Sequence, residues 1–123
     1  MITGTVTDDR RIVIPLEVIA TDQPTVFLEA VVDTGFNGFL TLPTDTLNTL
    51  RALPVGTRRA ELGDGQLVEM DVYLVKVKWR GEAREVLELQ ADATTLVGMS
   101  LLWGSRVVFD AQDDGAVLID AIP

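Results

Sequence analysis

The stretch Val31-Val32-Asp33-Thr34-Gly35 decides how this sequence of 123 residues is interpreted. Its acidic residue directly follows an apolar predicted strand, and a buried charge without a partner is energetically costly. One explanation is local: Asp33 begins a turn, accepts backbone hydrogen bonds, and is followed by Gly35 at positive φ. The other explanation is that the carboxylate is kept there to perform chemistry. Because Asp-Thr-Gly is a short motif of common residues, the surrounding sequence has to distinguish the two.

Two absences restrict the available chemistry, because the chain contains no cysteine and no histidine. Without cysteine there is no disulfide, thiol nucleophile or thiolate metal site. Without histidine there is no Ser-His-Asp triad and no imidazole ligand. Acid–base catalysis would therefore rest on the 19 acidic residues. Against 10 basic residues they give a net charge of −9, which argues against binding to nucleic acid or to an anionic membrane surface.

Length and hydropathy predict one soluble domain over residues 1–123. A chain of this size buries about two-thirds of its unfolded surface, and an apolar content of 47% argues against disorder. Charged residues at 8–11 precede any long apolar run, so we expect no signal peptide. The uncharged stretch 93–105 is too short to span a bilayer. We therefore expect a cytoplasmic location and no membrane partner.

The apolar pattern predicts mostly strands. Pro15 predicts that the first strand is an edge strand or a bulged one. Thr44 is a candidate N-cap for a short helix, and a further helical turn is predicted at 99–103. Many short strands with frequent turns predict an all-β barrel or sandwich. The predicted strands are 11–19, 25–32, 39–42, 56–62, 66–79, 83–90, 106–110 and 116–120.

The longest predicted strand, 66–79, changes its apolar face along its length. Alternate residues from Val68 to Leu74 are apolar, whereas the opposite face is apolar from Val75 to Trp79. This pattern predicts a strand that packs in the core at one end and projects from it at the other. The turn before it, Gly63-Asp64-Gly65, is typical of a hairpin.

Three motifs in this order resemble the retroviral-type aspartic proteases, and in particular the small bacterial members of that clan. They are the apolar-apolar-Asp-Thr-Gly turn at 31–35, the hairpin tip Gly63-Asp64-Gly65, and the element Leu96-Val97-Gly98 with a short helix after it. Gly98 lies 63 residues after Gly35, close to the spacing that one such unit needs. The resemblance covers roughly residues 11–120. It implies a retropepsin-like closed β-barrel with one or two short helices, forming a single aspartic protease domain.

The resemblance also implies an aspartic endopeptidase that acts as a symmetric homodimer and needs no cofactor or metal. Pepsin-like relatives carry two Asp-Thr/Ser-Gly turns in one long chain, whereas this chain has one. A second copy would supply the second Asp33 across a two-fold axis. Two carboxylates about 3 Å apart share one proton. The ionised one would take a proton from the attacking water, and the protonated one would polarise the scissile carbonyl.

The residues around Asp33 receive roles from the same resemblance. Thr34 would hydrogen-bond across the dimer, and Gly35 would let the backbone approach the substrate closely. Phe36 and Asn37 depart from the retroviral pattern, which usually has a small residue and then an acidic one. Phe36 would narrow the cleft or line a substrate subsite. Asn37 removes a charge that would otherwise hold the substrate backbone.

Two further segments complete the implied site. Leu96, Val97 and Gly98 would pack beneath the active-site turn and shield it. Gly63-Asp64-Gly65 would form the tip of a mobile flap that closes over a peptide bound in an extended conformation.

Two alternatives to catalysis follow from the same residues. In the first alternative, the chain is a non-enzymatic module on the same barrel that holds an extended peptide or merely dimerises. In the second alternative, the chain is an unrelated small β-barrel in which Asp33 only stabilises a turn.

Overall fold

The computed structural model describes residues 1–19, 25–61, 63–90 and 94–123. Within them the chain forms ten strands and two short helices. In chain order these are β1 (Ile2–Val6), β2 (Ile12–Ile19), β3 (Val26–Val32), β4 (Leu40–Leu42), α1 (Thr44–Leu50), β5 (Pro54–Glu61), β6 (Leu67–Trp79), β7 (Glu82–Gln90), β8 (Leu96–Val97), α2 (Met99–Leu102), β9 (Ser105–Phe109) and β10 (Ala116–Ala121).

Six of the strands close into a barrel. The order is β6-β7-β4-β8-β3-β2, and β2 pairs with β6 through residues 17–19 to complete the circle. The core inside it consists of aliphatic side chains that are fully buried, such as Ile14, Leu40 and Val97. The all-β prediction is confirmed, and so is the closed barrel with two short helices. Neither helix is long and apolar enough to cross a membrane.

Strand β6 belongs to both the barrel and a projecting hairpin. Its C-terminal half buries Val75, Val77 and Trp79 in the core. Its N-terminal half pairs with β5, and the last residue of its outward apolar face, Leu74, is 47% exposed. The predicted change of apolar face along this strand is therefore confirmed.

The prediction that β2 is an edge or bulged strand is wrong. β2 pairs continuously with β3, and its other side pairs first with β1 at residues 12–13 and later with β6 at residues 17–19. Pro15 lies between those two partners, where no ladder amide is required of it. The proline is tolerated because, on this side of β2, residues 14–16 lie between the pairing with β1 and the pairing with β6.

Beyond the barrel the same sheet continues from β2 through β1 and β10 to β9. β1 is paired on both sides, with β2 and with β10. Alternate residues of β10, Val117 and Ile119, are buried, while the residues between them face outward. The two ends of the chain are thus joined within one sheet.

The first helix begins at Thr44, one residue earlier than the predicted Thr44 cap would place it. Pro43 occupies the N-cap position of α1 and makes no side-chain cap hydrogen bond, and Thr44 is the first helical residue. Proline suits the start of a helix because it lacks an amide hydrogen that would need a partner there. Arg51, in the left-handed region at φ 54°, ends the helix.

One acidic side chain lies inside the core. Glu88 of β7 has 0% of its surface exposed and pairs with Leu40 of β4 and Tyr73 of β6. Neither of its carboxylate oxygens has a hydrogen-bond partner within the described residues. Burial raises the pKa of Glu88 to about 8, so the carboxyl stays protonated through neutral pH.

The raised pKa of Glu88 makes stability depend on pH. Below pH 4.5 the group is protonated in both folded and unfolded chains; between 4.5 and about 8 only the unfolded chain releases the proton, which favours unfolding. We expect Glu88 to lower the free energy of unfolding by about 1.4 kcal/mol per pH unit over that interval. Urea denaturation of wild type and Glu88→Gln at several pH values measures the difference. Glu85→Gln, exposed on the same strand, is the control, and matching slopes for all three proteins would contradict the prediction.

Candidate active site

Strand β3 ends at the turn that carries Asp33. The apolar residues before it place Val32 in the core, while Asp33 itself is half-buried. The Asp33 amide donates to the Val97 carbonyl over 2.9 Å, and the Phe36 amide donates to the Asp33 carbonyl over 3.2 Å. The Gly35 amide donates to Asp33 Oδ1 over 2.9 Å. Within the described residues Oδ2 accepts no hydrogen bond, so one carboxylate oxygen is free to meet a ligand.

The two residues after the aspartate face solvent. Thr34 and Gly35 are both exposed. The purely local explanation is met in part: the Gly35 amide bonds to the Asp33 side chain as it expects, but Gly35 does not adopt positive φ. A Cβ at Gly35 would meet only Asp33 Oδ1, at 3.2 Å. The absence of a side chain there therefore leaves the backbone open next to the carboxylate.

The element Leu96-Val97-Gly98 is bonded to both arms of the turn. β8 pairs in parallel with β3 through Val31↔Leu96 and Val32↔Val97, and Leu40 of β4 pairs with Val97 from the other side. The Gly98 amide then donates to the Phe39 carbonyl over 3.0 Å. A two-residue strand between β3 and β4 therefore fixes the start and the end of the turn that carries Asp33.

Helix α2 continues this connection. The Met99 amide donates to the Phe36 carbonyl over 2.8 Å, and the Ser100 amide donates to the Gly38 carbonyl over 3.2 Å. The Ser100 hydroxyl donates to the Asn37 carbonyl over 2.5 Å. Three consecutive residues of the turn thus have their carbonyls satisfied by the first turn of α2.

Phe36 lies over two glycines. A Cβ on Gly38 would be 2.5 Å from the Phe36 ring, and a Cβ on Gly98 would be 2.6 Å from the ring and 2.2 Å from the Gly38 carbonyl oxygen. The phenyl ring therefore occupies space that exists only because both residues lack side chains. Gly38 was not identified from the sequence. The available signal was its position two residues after Phe36, a large aromatic residue.

Thr41 is a second residue that sequence reasoning missed. Its buried hydroxyl donates to the Thr94 carbonyl over 3.1 Å and accepts from the Leu96 amide over 2.9 Å. These bonds attach β4 to the residues that lead into β8. The signal in the sequence was a polar residue inside the apolar run 39–42.

A cavity of about 400 Å³ lies beside the turn. Phe36 and Asn37 line it from the turn, and the aliphatic side chains of Leu87 and Leu89 line it from β7. The base of the β5–β6 hairpin, residues 55–58 and 72, forms another wall, and residues 38–40 and 100 complete the lining. Both residues that depart from the retroviral pattern therefore line the cavity.

The tip of the hairpin stands apart from this cavity. Gly63, Asp64 and Gly65 are exposed and are not among its lining residues. Gly65 adopts φ +84°, and the Gln66 amide donates to Asp64 Oδ1 over 3.0 Å, so the tip is a defined turn. In the described parts of the chain, no group of three or more acidic side chains is arranged to hold a metal ion.

Comparison with known proteins finds similarity in structure only. No protein-family model matches the sequence, and no curated protein matches it. A retropepsin-like aspartic protease from Rickettsia conorii superposes with a TM-score of 0.61 and 19% identity, covering 98% of this chain and 90% of that one. The EIAV protease in complex with the inhibitor HBY-793 gives a TM-score of 0.56 and 23% identity, over 77% of this chain and 88% of that one.

A third similar structure is the foamy viral protease-reverse transcriptase in complex with an RNA/DNA hybrid. It has a TM-score of 0.53 and 19% identity, and the match covers 72% of this chain but 11% of the much longer viral chain. The fold of the protein is therefore retropepsin-like, as its motifs indicated.

The contacts at Gly98 predict that this position tolerates no side chain. We expect Gly98→Ala to lower the free energy of unfolding by about 1–3 kcal/mol, because its Cβ would collide with backbone as well as with the Phe36 ring. Urea denaturation measures the change. Gly63→Ala is the control, since a Cβ there meets nothing within 4 Å. Equal stability of the two variants would show that the turn and α2 are not tightly packed.

Proposed function

We propose that the protein is a homodimeric aspartic endopeptidase, a single protease domain in which Asp33 of each copy forms half of the catalytic pair. The observation that carries the proposal is the setting of Asp33. Its carboxylate is half-buried at a strand end, has one oxygen free of hydrogen bonds in the described structure, and lies in a turn fixed by β8. The retropepsin-like fold supports the same conclusion.

One chain provides one such carboxylate, whereas peptide hydrolysis needs two catalytic groups. A base must take a proton from water, and an acid must polarise the scissile carbonyl. The exposure of Thr34 and Gly35 leaves this side of the turn open to a second copy related by a two-fold axis. With the two carboxylates adjacent, repulsion between like charges keeps one proton on the pair, and the two pKa values belong to the pair.

The proposed reaction uses only groups of the protein and water. The ionised Asp33 removes a proton from a water molecule as the oxygen attacks the carbonyl carbon. The protonated Asp33 of the other copy hydrogen-bonds to the carbonyl oxygen as it gains negative charge. Collapse of the tetrahedral intermediate returns the electron pair to the carbonyl and expels the amine, and the Asp33 that took the proton from water transfers it to the amine nitrogen.

The substrate we propose is a peptide in an extended conformation. Its side chains would enter the cavity beside Phe36 and Asn37, whose far wall is aliphatic. The hairpin tip at Gly63, Asp64 and Gly65 would close over the bound peptide, and Leu96, Val97 and Gly98 would support the turn beneath it. An extended peptide suits the site because its backbone can pair like an added strand.

Removing the charge at Asp33 tests catalysis directly. We expect Asp33→Asn to reduce cleavage of an unstructured protein substrate by at least about 100-fold, because the amide cannot act as a base. Cleavage followed from acidic to neutral pH is the measurement. Asp45→Asn, an exposed change in α1, should keep wild-type activity. Absence of cleavage by every protein, with binding of the peptide retained, would instead support the peptide-binding module.

Mixing subunits tests whether two copies share one site. If each site needs two Asp33 residues, randomly exchanged equimolar wild type and Asp33→Asn leave a quarter of the dimers fully wild type. Activity per wild-type chain should then fall by about half relative to wild type alone. Activity that stays constant per wild-type chain after subunit exchange would show that each chain works alone.

A further inference from the structure

The β5–β6 hairpin has two faces of different character. β5 and β6 pair antiparallel, and residues directly opposite each other point to the same face of the sheet. Arg59 lies opposite Glu69, so one face carries charges of both signs. Arg58 lies opposite Met70 on the other face, and Val72 follows Met70 there. The immediate neighbours of Arg58 on its own face are therefore apolar.

Arg58 also differs from the other basic residues of the described strands. There are six of these residues: Arg58, Arg59, Lys76, Lys78, Arg84 and Arg106. Four of them lie opposite an acidic residue of a neighbouring strand, in the pairs Arg59↔Glu69, Lys76↔Glu85, Lys78↔Glu17 and Arg106↔Asp120. Arg84 instead lies over the Phe39 ring, 5.6 Å from its centroid. Within the described structure Arg58 has neither kind of partner and forms no ion pair.

This uncompensated cation faces the cavity beside the Asp33 turn. Arg58 lines that cavity of about 400 Å³, and it is the one charged residue among the described residues that do so. Val55, Leu87 and Leu89 supply apolar wall. A charge on the low-dielectric wall of a cleft acts on a ligand more strongly than the same charge in open water. The cavity therefore offers hydrocarbon contacts together with a single positive charge.

We propose that Arg58 is a specificity-determining residue, which makes the cavity select an acidic side chain of the peptide substrate. The inference rests on the proposed function for the identity of the ligand as an extended peptide. A glutamate side chain matches both properties of the cavity, because its methylene groups would contact the aliphatic wall while its carboxylate pairs with the guanidinium of Arg58. Neither Asp33 nor any other acid is among the described lining residues, and Asn37 is neutral.

The charge of the whole chain favours the opposite preference. With a net charge of −9, the protein attracts basic peptides at long range and repels acidic ones. A preference for an acidic peptide therefore has to arise locally. Its sign distinguishes the effect of Arg58 from the general field of the protein.

The test compares substrates that differ in one charge. They are fluorogenic decapeptides of one apolar sequence, in which each position in turn holds Glu, Gln or Lys. At one of these positions we expect wild type to cleave the Glu peptide with a kcat/KM about tenfold above that of the Lys peptide, with the Gln peptide between them. Each ratio is measured on one preparation of protein, so differences in folding or in dimer formation cancel.

Substitutions at Arg58 and at its neighbour show where the preference originates. We expect Arg58→Gln to abolish the preference for Glu, and Arg58→Glu to invert it in favour of Lys. Arg59→Gln removes the same charge from the other face of the hairpin and should keep the wild-type ratio to within about twofold. A wild type that ignores the charge or prefers Lys, an Arg58→Glu variant that still prefers Glu, or an Arg59→Gln variant that also loses the preference would each overturn the inference.

Peptide binding separates this inference from the proposed function. The same peptides, fluorescently labelled, are titrated with Asp33→Asn and followed by fluorescence anisotropy. Cleavage that depends on Asp33 but shows no preference for Glu would overturn the role of Arg58 and leave the peptidase standing. Preferred binding of the Glu peptide that Arg58→Glu inverts, without cleavage by wild type, would support the role of Arg58 and overturn the peptidase. The absence of both cleavage and binding would overturn both.

Discussion

The parallel pairing of β8 with the end of β3 is the interaction on which the rest of the site depends. β8 is two residues long, yet it lies between β3 and β4 and accepts the Asp33 amide at its Val97 carbonyl. Because both arms of the turn are bonded to the same short strand, the backbone at Asp33 cannot shift without breaking hydrogen bonds of the barrel wall. The position of the Asp33 backbone is therefore set by the barrel wall as well as by the hydrogen bonds within the turn.

Residue sizes around the turn follow from that constraint. Once β8 has brought α2 against the turn, the backbones at Gly38 and Gly98 are too close for any side chain, and the Phe36 ring fills what remains. A small residue at position 36 would leave a gap there, and a large one is accommodated only beside two glycines. Positions 36, 38 and 98 therefore form one packing unit, in which a change at one alters what the others can be.

The sequence was most informative where a pattern has one physical cause. Alternating apolar residues gave the strands, and the order of motifs indicated the retropepsin-like fold that the structure has. Pro15 was misinterpreted because the change of partner along β2 is a property of the whole barrel. Glu88 and Thr41 were missed because a polar residue in a strand is usually solvated, and its burial depends on strands distant in sequence. The roles of Asp33, Thr34 and the hairpin tip remain predictions.

The continuity of β6 has a mechanical consequence. Its 13 residues extend over roughly 40 Å, and the end that pairs with β2 closes the barrel while the other end forms the hairpin over the cavity. The arm and the barrel seam thus share one uninterrupted strand, Leu67–Trp79. A displacement of the hairpin is therefore transmitted along β6 to its pairing with residues 17–19, the pairing that closes the barrel.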